Sequence, residues 1–268
     1  MVDQSIFFQT PAWVLAVLVI VTLTIAIEIG FHLGKRAAER RAREEGDASI
    51  GIGAIQGAVF GLFGLLLALT FSFVMGRVDA RRQLAVAETN AIATAYLRFD
   101  VLPEASRTAL RSQLREYVDQ RVALARSKND PEIVESATRR VSELQASMWS
   151  IAAAHVREAP EAGAYVFVLD GLNDAFAQKT AFDAAMFGHL PPSVLAFLVL
   201  TATVAAIVAG YALGLAGRRH QAATACFVVL TTLVAYVILD LDRPQRGLFR
   251  APVRAMLQLQ ASIRAEQP

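Results

Sequence analysis

The chain has 268 residues, a formal net charge of +2 and one cysteine. It is 55% hydrophobic and only 19% charged, whereas about a quarter of the residues of a soluble domain are charged, so a purely soluble fold is excluded. The small net charge argues against a polybasic nucleic-acid binder. The lone thiol, Cys226, rules out an intrachain disulfide, and no Cys/His spacing fits a zinc site.

The charges are segregated along the chain. Residues 1–11 carry Asp3 and no basic stretch, so the first apolar run reads as an uncleaved anchor rather than a signal peptide. That run, residues 12–34, contains Glu28 as its only acid and no Lys or Arg. Residues 50–76, 193–217 and 222–239 contain no charge at all. About 20 apolar residues span the hydrocarbon core as a helix, and lipid cannot satisfy bare backbone groups. Four transmembrane helices are therefore predicted, in an all-α integral membrane protein with a helical bundle between the second and third spans.

The expected organisation is a first span with its charged connector over 1–49, a second span over 50–76 and a helical extramembrane domain over 77–189. The third and fourth spans follow over 190–241, then an amphipathic segment over 242–268. The connectors KRAAERRAREEGDAS and GRRHQ are short and basic, which places them in the cytoplasm and the 77–189 domain outside. Arg77, Arg81 and Arg82, and then Arg243, Arg246, Arg250 and Arg254, sit on the other side and weaken that bias.

The second span carries Gly53, Gly57, Gly61 and Gly64 at helical steps, a spacing that lets backbones approach closely, within one subunit or between subunits. Its neighbouring face carries Gln56, Phe60, Phe63, Leu67 and Phe71. In a ring of subunits Phe63, Leu67 and Phe71 would form a hydrophobic constriction that gates by dewetting; as a single chain they would face lipid. The span continues without Gly or Pro into the extramembrane region, where Leu84, Ala87, Ala91, Ala95, Phe99 and Leu102 recur at helical spacing. Pro103 is placed in the first turn of the next helix, which presents Leu110, Leu114, Tyr117, Arg121 and Leu124. Asp130 caps a further helix with Pro131 at its first position, and Ile133, Ala137, Val141, Leu144, Met148 and Ile151 share its face. A last helix runs from about residue 164 to 187. The C-terminal segment puts Val253, Met256, Leu257 and Ile263 on one side, a pattern that suits either lipid headgroups or the middle domain.

Two sets of polar residues lie within or at the end of apolar windows. Glu28 and His32 are four residues apart and read either as an internal pair or as part of an ion or proton path. Thr232, Tyr236 and Asp240 form a polar stripe on the fourth span, suited to interhelical hydrogen bonds with an Asp240/Asp242–Arg243 cluster at the helix end, or to binding of ions or lipid headgroups. No GxSxG, HExxH or phosphate-cradling loop is present, so neither an enzyme nor a cofactor or metal is expected.

Several blocks, in order, resemble the bacterial bestrophin-like membrane family: IGAIQGAVFGLFGLLLALTFSFV, RVDARRQLAVAETNAIATAYLRFDVLPE, LREYVDQRV, GLNDAFAQKTAFDAAMFGHLPPSV and LDLDRPQRGLFRAPVRAM. The resemblance implies a multi-pass homo-oligomer in the bacterial cytoplasmic (inner) membrane, with the lipid bilayer as its surroundings. It further implies an anion-conducting channel whose second span forms a hydrophobic neck. In such a channel Arg77, Arg81 and Arg82, which follow the second span, would form a basic ring at the mouth. No acidic cluster resembling a calcium clasp is found. The other expectation is a membrane-anchored scaffold or sensor whose helical domain binds a partner.

Overall fold

The computed structural model describes residues 11–41, 49–127, 130–159, 163–188, 190–242 and 253–265. Asp3, residues 42–48 of the first connector, the helix breaks at 128–129 and 160–162, His189, Arg243, Arg246 and Arg250 lie outside them. Among the described residues every regular element is helical. In chain order these are α1 (Ala12–Arg41), α2 (Ser49–Arg98), a 3-10 turn (Phe99–Val101), α3 (Glu104–Arg126), α4 (Pro131–Glu158), α5 (Gly163–Phe187), α6 (Pro192–Leu215), α7 (Gln221–Leu241) and α8 (Arg254–Ala265). Four of them, α1, α2, α6 and α7, are long and apolar enough to cross a membrane. The chain divides into two compact units, Met1–Gly76 with His189–Arg243, and Arg77–Gly188 with Pro244–Pro268. Helix α2 contributes to both. Its 50 residues make it about 75 Å long at 1.5 Å per residue.

In the first unit, α1 and α6 run parallel and touch through their backbones. A Cβ on Gly30 would fall on the carbonyl of Ile207, one on Gly34 on that of Tyr211, one on Gly210 on that of Ile27, and one on Gly214 on that of Phe31. Glycine at these four positions is what lets the helices approach so closely. The α6–α7 turn needs a residue with positive φ, and Gly217 supplies it at φ 63°. Helix α2 meets its neighbours differently, through large side chains.

The second unit is a soluble-type bundle. Its core comprises Ile92 and Tyr96 of α2, Phe99 of the 3-10 turn, Leu110, Leu114, Tyr117 and Val118 of α3, Val141, Leu144 and Met148 of α4, and Val168 and Leu172 of α5. The buried stripe of α2 is Ala85, Glu88, Ile92, Ala95 and Tyr96, continued by Phe99 and Leu102, and begins one position on from the expected Leu84–Ala87–Ala91 series; Ala95, Phe99 and Leu102 belong to both. Pro103 lies just before the first turn of α3 rather than within it. The Asp130 side chain accepts from the Glu132 N–H at 3.1 Å and Pro131 opens α4. Helix α8 packs on α3: Met256, Leu259 and Ile263 are buried, Arg115 Nε donates to the Ile263 carbonyl at 3.1 Å, and Asp119 accepts from Gln260 at 2.7 Å and Arg264 at 2.8 Å. Of the two settings open to this amphipathic segment, the protein surface is the one it occupies.

Candidate functional site

Within the first unit the two faces of α2 have different fates. Phe60 stacks on Phe227 of α7, ring centroids 5.7 Å apart. Phe63 and Val74 are buried, and Gln56, Leu67 and Thr70 are half-buried. The Thr70 hydroxyl turns back to the Leu66 carbonyl at 2.8 Å. Four of the five sequence-selected pore residues therefore lie on the face that packs within the subunit, while Phe71 stays 39% exposed. The glycine face is the open one: no described residue comes within 4 Å of a Cβ placed on Gly53, Gly57, Gly61 or Gly64. The tight glycine seam of the subunit is instead the α1–α6 pair. Its signal, Gly30/Gly34 and Gly210/Gly214 at four-residue spacing, was present in the sequence but was not singled out.

Glu28 is engaged from the α6–α7 turn. Arg219 binds it bidentately, at 3.0 Å to Oε1 and 3.1 Å to Oε2, and lies 4.4 Å over the Phe31 ring. His32 Nε2 is 3.9 Å from Glu28 Oε2, so the local pair expected from the i, i+4 spacing is secondary to a partner 191 positions away. On α7, Thr232 and Asp240 are buried and Tyr236 is half-buried. The Thr232 hydroxyl is buried with no hydrogen-bond partner among the described residues. Just beyond the helix, Asp242 is also buried and accepts the Leu190 N–H with both oxygens, at 3.1 and 3.0 Å.

The three arginines after the second span play different parts in the second unit. Arg81 is 3% exposed; its Nε donates to the Ala185 carbonyl at 3.0 Å and its Nη2 to the Gly188 carbonyl at 2.9 Å. It thus satisfies carbonyls at the end of α5, which have no partner within the helix. Arg77 is half-buried against Gly188. Arg82 is the exposed one, 3.7 Å from Asp79.

The same unit contains a charged cluster of which only Arg121, on the stripe with Leu110, Leu114 and Tyr117, is legible from helical spacing. Arg121 of α3 binds Glu88 of α2 through two hydrogen bonds, 2.7 and 3.0 Å. It also donates to Asp183 of α5 at 3.1 Å, which Lys179 approaches at 3.1 Å. Arg121 lies 5.7 Å from the Phe182 ring centroid. Burial alone would depress the Arg121 pKa, but the Glu88 hydrogen bonds and charge outweigh it and hold the guanidinium above its ordinary value. The neighbouring Tyr117 phenol is pushed up, first by burial and then by the Glu88 charge; its hydroxyl is buried without a partner among the described residues. Helix α5 reaches α2 here because Gly171 leaves no Cβ to strike the Ala95 backbone, at 3.3 Å. Glu88, Arg121, Lys179 and Asp183 fall in three of the blocks that carried the family resemblance, and this cluster is where those blocks converge. Among the described residues no group of three or more His, Cys, Asp or Glu side chains is placed to hold a metal ion.

None of the curated proteins matches the chain. The crystal structure of a membrane protein carrying a proline-to-alanine substitution is similar in fold, with a TM-score of 0.60 at 12% identity, over 91% of this chain and 97% of that one. A family model, the bestrophin-like domain, matches residues 20–256. With most of its length accounted for by that domain, this chain belongs to the bestrophin-like family.

Proposed function

We propose that the protein is a homo-oligomeric ion channel of the bacterial cytoplasmic membrane, conducting anions along a path lined by α2. The observation that carries this reading is the open glycine face. Gly53, Gly57, Gly61 and Gly64 meet nothing among the described residues of their own subunit, while Phe60 and Phe63 on the aromatic face of the same helix are taken up by packing. A lipid-exposed helix gains nothing from four glycines, each of which costs about 1 kcal/mol relative to Ala in a helix interior. Close helix–helix contact between copies uses them. On this reading Phe71 supplies the hydrophobic constriction and Phe63 and Leu67 hold the helix from behind. Arg82 supplies the exposed positive charge that concentrates anions, and Arg77 and Arg81 build the bundle beneath it.

The test is ion flux through the purified protein in liposomes, with chloride, potassium and protons each compared with empty vesicles. Chloride flux that rises in Phe71→Ala and falls in Arg82→Glu supports both the channel and its path. Absence of flux for every ion across a range of pH and calcium favours the other reading, a membrane-anchored sensor. That reading is supported by the single continuous helix that leads from the second span into the bundle.

A further inference from the structure

We infer that the first unit holds the end of a lipid acyl chain in a cleft walled by all four of its membrane helices. The cleft has a volume of about 160 Å³. Leu23 of α1, Phe63 and Leu67 of α2, Leu198 of α6, and Thr231 and Ile238 of α7 are among the residues that line it.

Its origin lies in how the helices pack. Helices α1 and α6 are drawn together at Gly30, Gly34, Gly210 and Gly214. The cleft lies nearer their N-terminal ends, between residues 15–23 and 195–203, beyond the glycine seam. There the wall is closed by Phe63 and Leu67 of α2, a helix that meets its neighbours through bulky side chains. The result is a gap bounded by Leu, Ile, Val and Phe where a tight seam would leave none.

The walls decide the occupant. Among the described residues that line it none is charged, and the polar ones are threonines. One of them, Thr203, already spends its hydroxyl on the Val199 carbonyl at 2.7 Å. A buried water needs two to four polar partners, whereas an apolar cavity of about 150 Å³ stays dry and accepts an apolar guest. The cleft also has a mouth, because Leu18 and Val199 line it while remaining 55% and 46% exposed. That mouth opens on residues of the uncharged spanning windows, where the surrounding medium is hydrocarbon. The apolar guest available there is an acyl chain, and entry requires no polar group to be desolvated. Such binding does not depend on ion conduction.

The experiment uses the full-length protein in vesicles of palmitoyl-oleoyl phosphatidylcholine doped with a phosphatidylcholine that carries a diazirine at the end of one acyl chain. After illumination, labelled residues are mapped by mass spectrometry. The expected result is label on the buried cleft residues Leu23, Phe63 and Ile238 as well as on outward residues such as Leu69, Leu200 and Leu230. Label confined to the outward set overturns the assignment, whatever else fills the gap. A filled variant, Ala202→Leu with Ala235→Leu, should lower cleft labelling at least tenfold and leave outward labelling unchanged. Cleft labelling that persists in that variant also overturns it. If the variant fails to fold, the map on the unmodified protein still decides.

Discussion

Arg121 and Glu88 face each other inside the helical unit, with Nε–Oε1 at 2.7 Å and Nη2–Oε2 at 3.0 Å, and their side chains are 6% and 2% exposed. A pair sealed in this way is a poor source of net stability but an expensive one to break, because the survivor is left charged in a low-dielectric interior. It links α2 to α3, and through Asp183 to α5, so it favours one relative register of the three helices.

Glu88→Gln or Arg121→Met should therefore destabilise the protein by about 3–5 kcal/mol. The double variant Glu88→Leu with Arg121→Met should recover most of that loss. Thermal unfolding in mild detergent, followed by circular dichroism, checks both. Equal losses in the single and double variants would show that the cost is not the uncompensated charge.

The neighbouring Tyr117 predicts the opposite sign. Its hydroxyl is buried with no partner among the described residues, a state that costs about 1–3 kcal/mol in desolvation. Tyr117→Phe should leave the unfolding midpoint unchanged or raise it. A clear fall would mean that the hydroxyl is satisfied by a bound water.

The two glycine stripes should respond differently to the same chemistry. At Gly34 a Cβ would strike the Tyr211 backbone, which no rotamer change can relieve. Gly34→Leu should thus cost at least the 1–3 kcal/mol typical of overpacking and lower the yield of folded, monodisperse protein. At Gly57 the subunit leaves open space, so Gly57→Leu should leave the subunit folded and change the oligomeric state. Native mass spectrometry separates the two outcomes. An unchanged oligomer in Gly57→Leu counts against α2 as a subunit contact.

Arg81 and Arg82 are adjacent and should not be interchangeable. Arg81→Ala removes two charge-assisted hydrogen bonds to carbonyls at the end of α5, an expected loss of about 1.5–3 kcal/mol per bond at most. Arg82→Ala touches a solvated side chain and should stay within about 0.5 kcal/mol. Unfolding midpoints measured side by side decide it, and equal effects would refute the capping role.

The docking of α8 can be read from one residue. Ile263 is 4% exposed against the bundle, so Ile263→Ala should cost about 2–5 kcal/mol. Amide hydrogen exchange of residues 254–265 should accelerate at the same time. Unchanged exchange would indicate that this helix is held by Asp119 with Arg264 and Gln260 rather than by its apolar face.

The sequence by itself determined the four spans, because hydrocarbon demands long uncharged windows and helical backbone hydrogen bonding regardless of what the rest of the chain does. It also placed the helices of the bundle, through Pro103, Asp130–Pro131 and the spacing of Leu110, Leu114, Leu144 and Met148. Local spacing names the residues that share a helix face, but it does not say which face finds a partner. That is why the glycine stripe of α2 reads as a seam within or between subunits and its aromatic stripe as either a neck or a lipid-facing surface; among the described residues Phe60 and Phe63 pack within the subunit, Phe71 stays exposed and the glycines meet no neighbour. Spacing also pairs Glu28 with its nearest neighbour, His32, whereas a partner 191 positions away, Arg219, takes it in the fold. Charged residues on a helix are solvated by default, so Glu88 and Asp183 carried no sign of burial, and Arg121, although it shares the helical spacing of Leu110, Leu114 and Tyr117, carried no sign of the partners that neutralise it. Only the tertiary structure, by bringing three helices together with opposite charges at one depth, could make their desolvation tolerable and turn three scattered sequence blocks into one buried cluster.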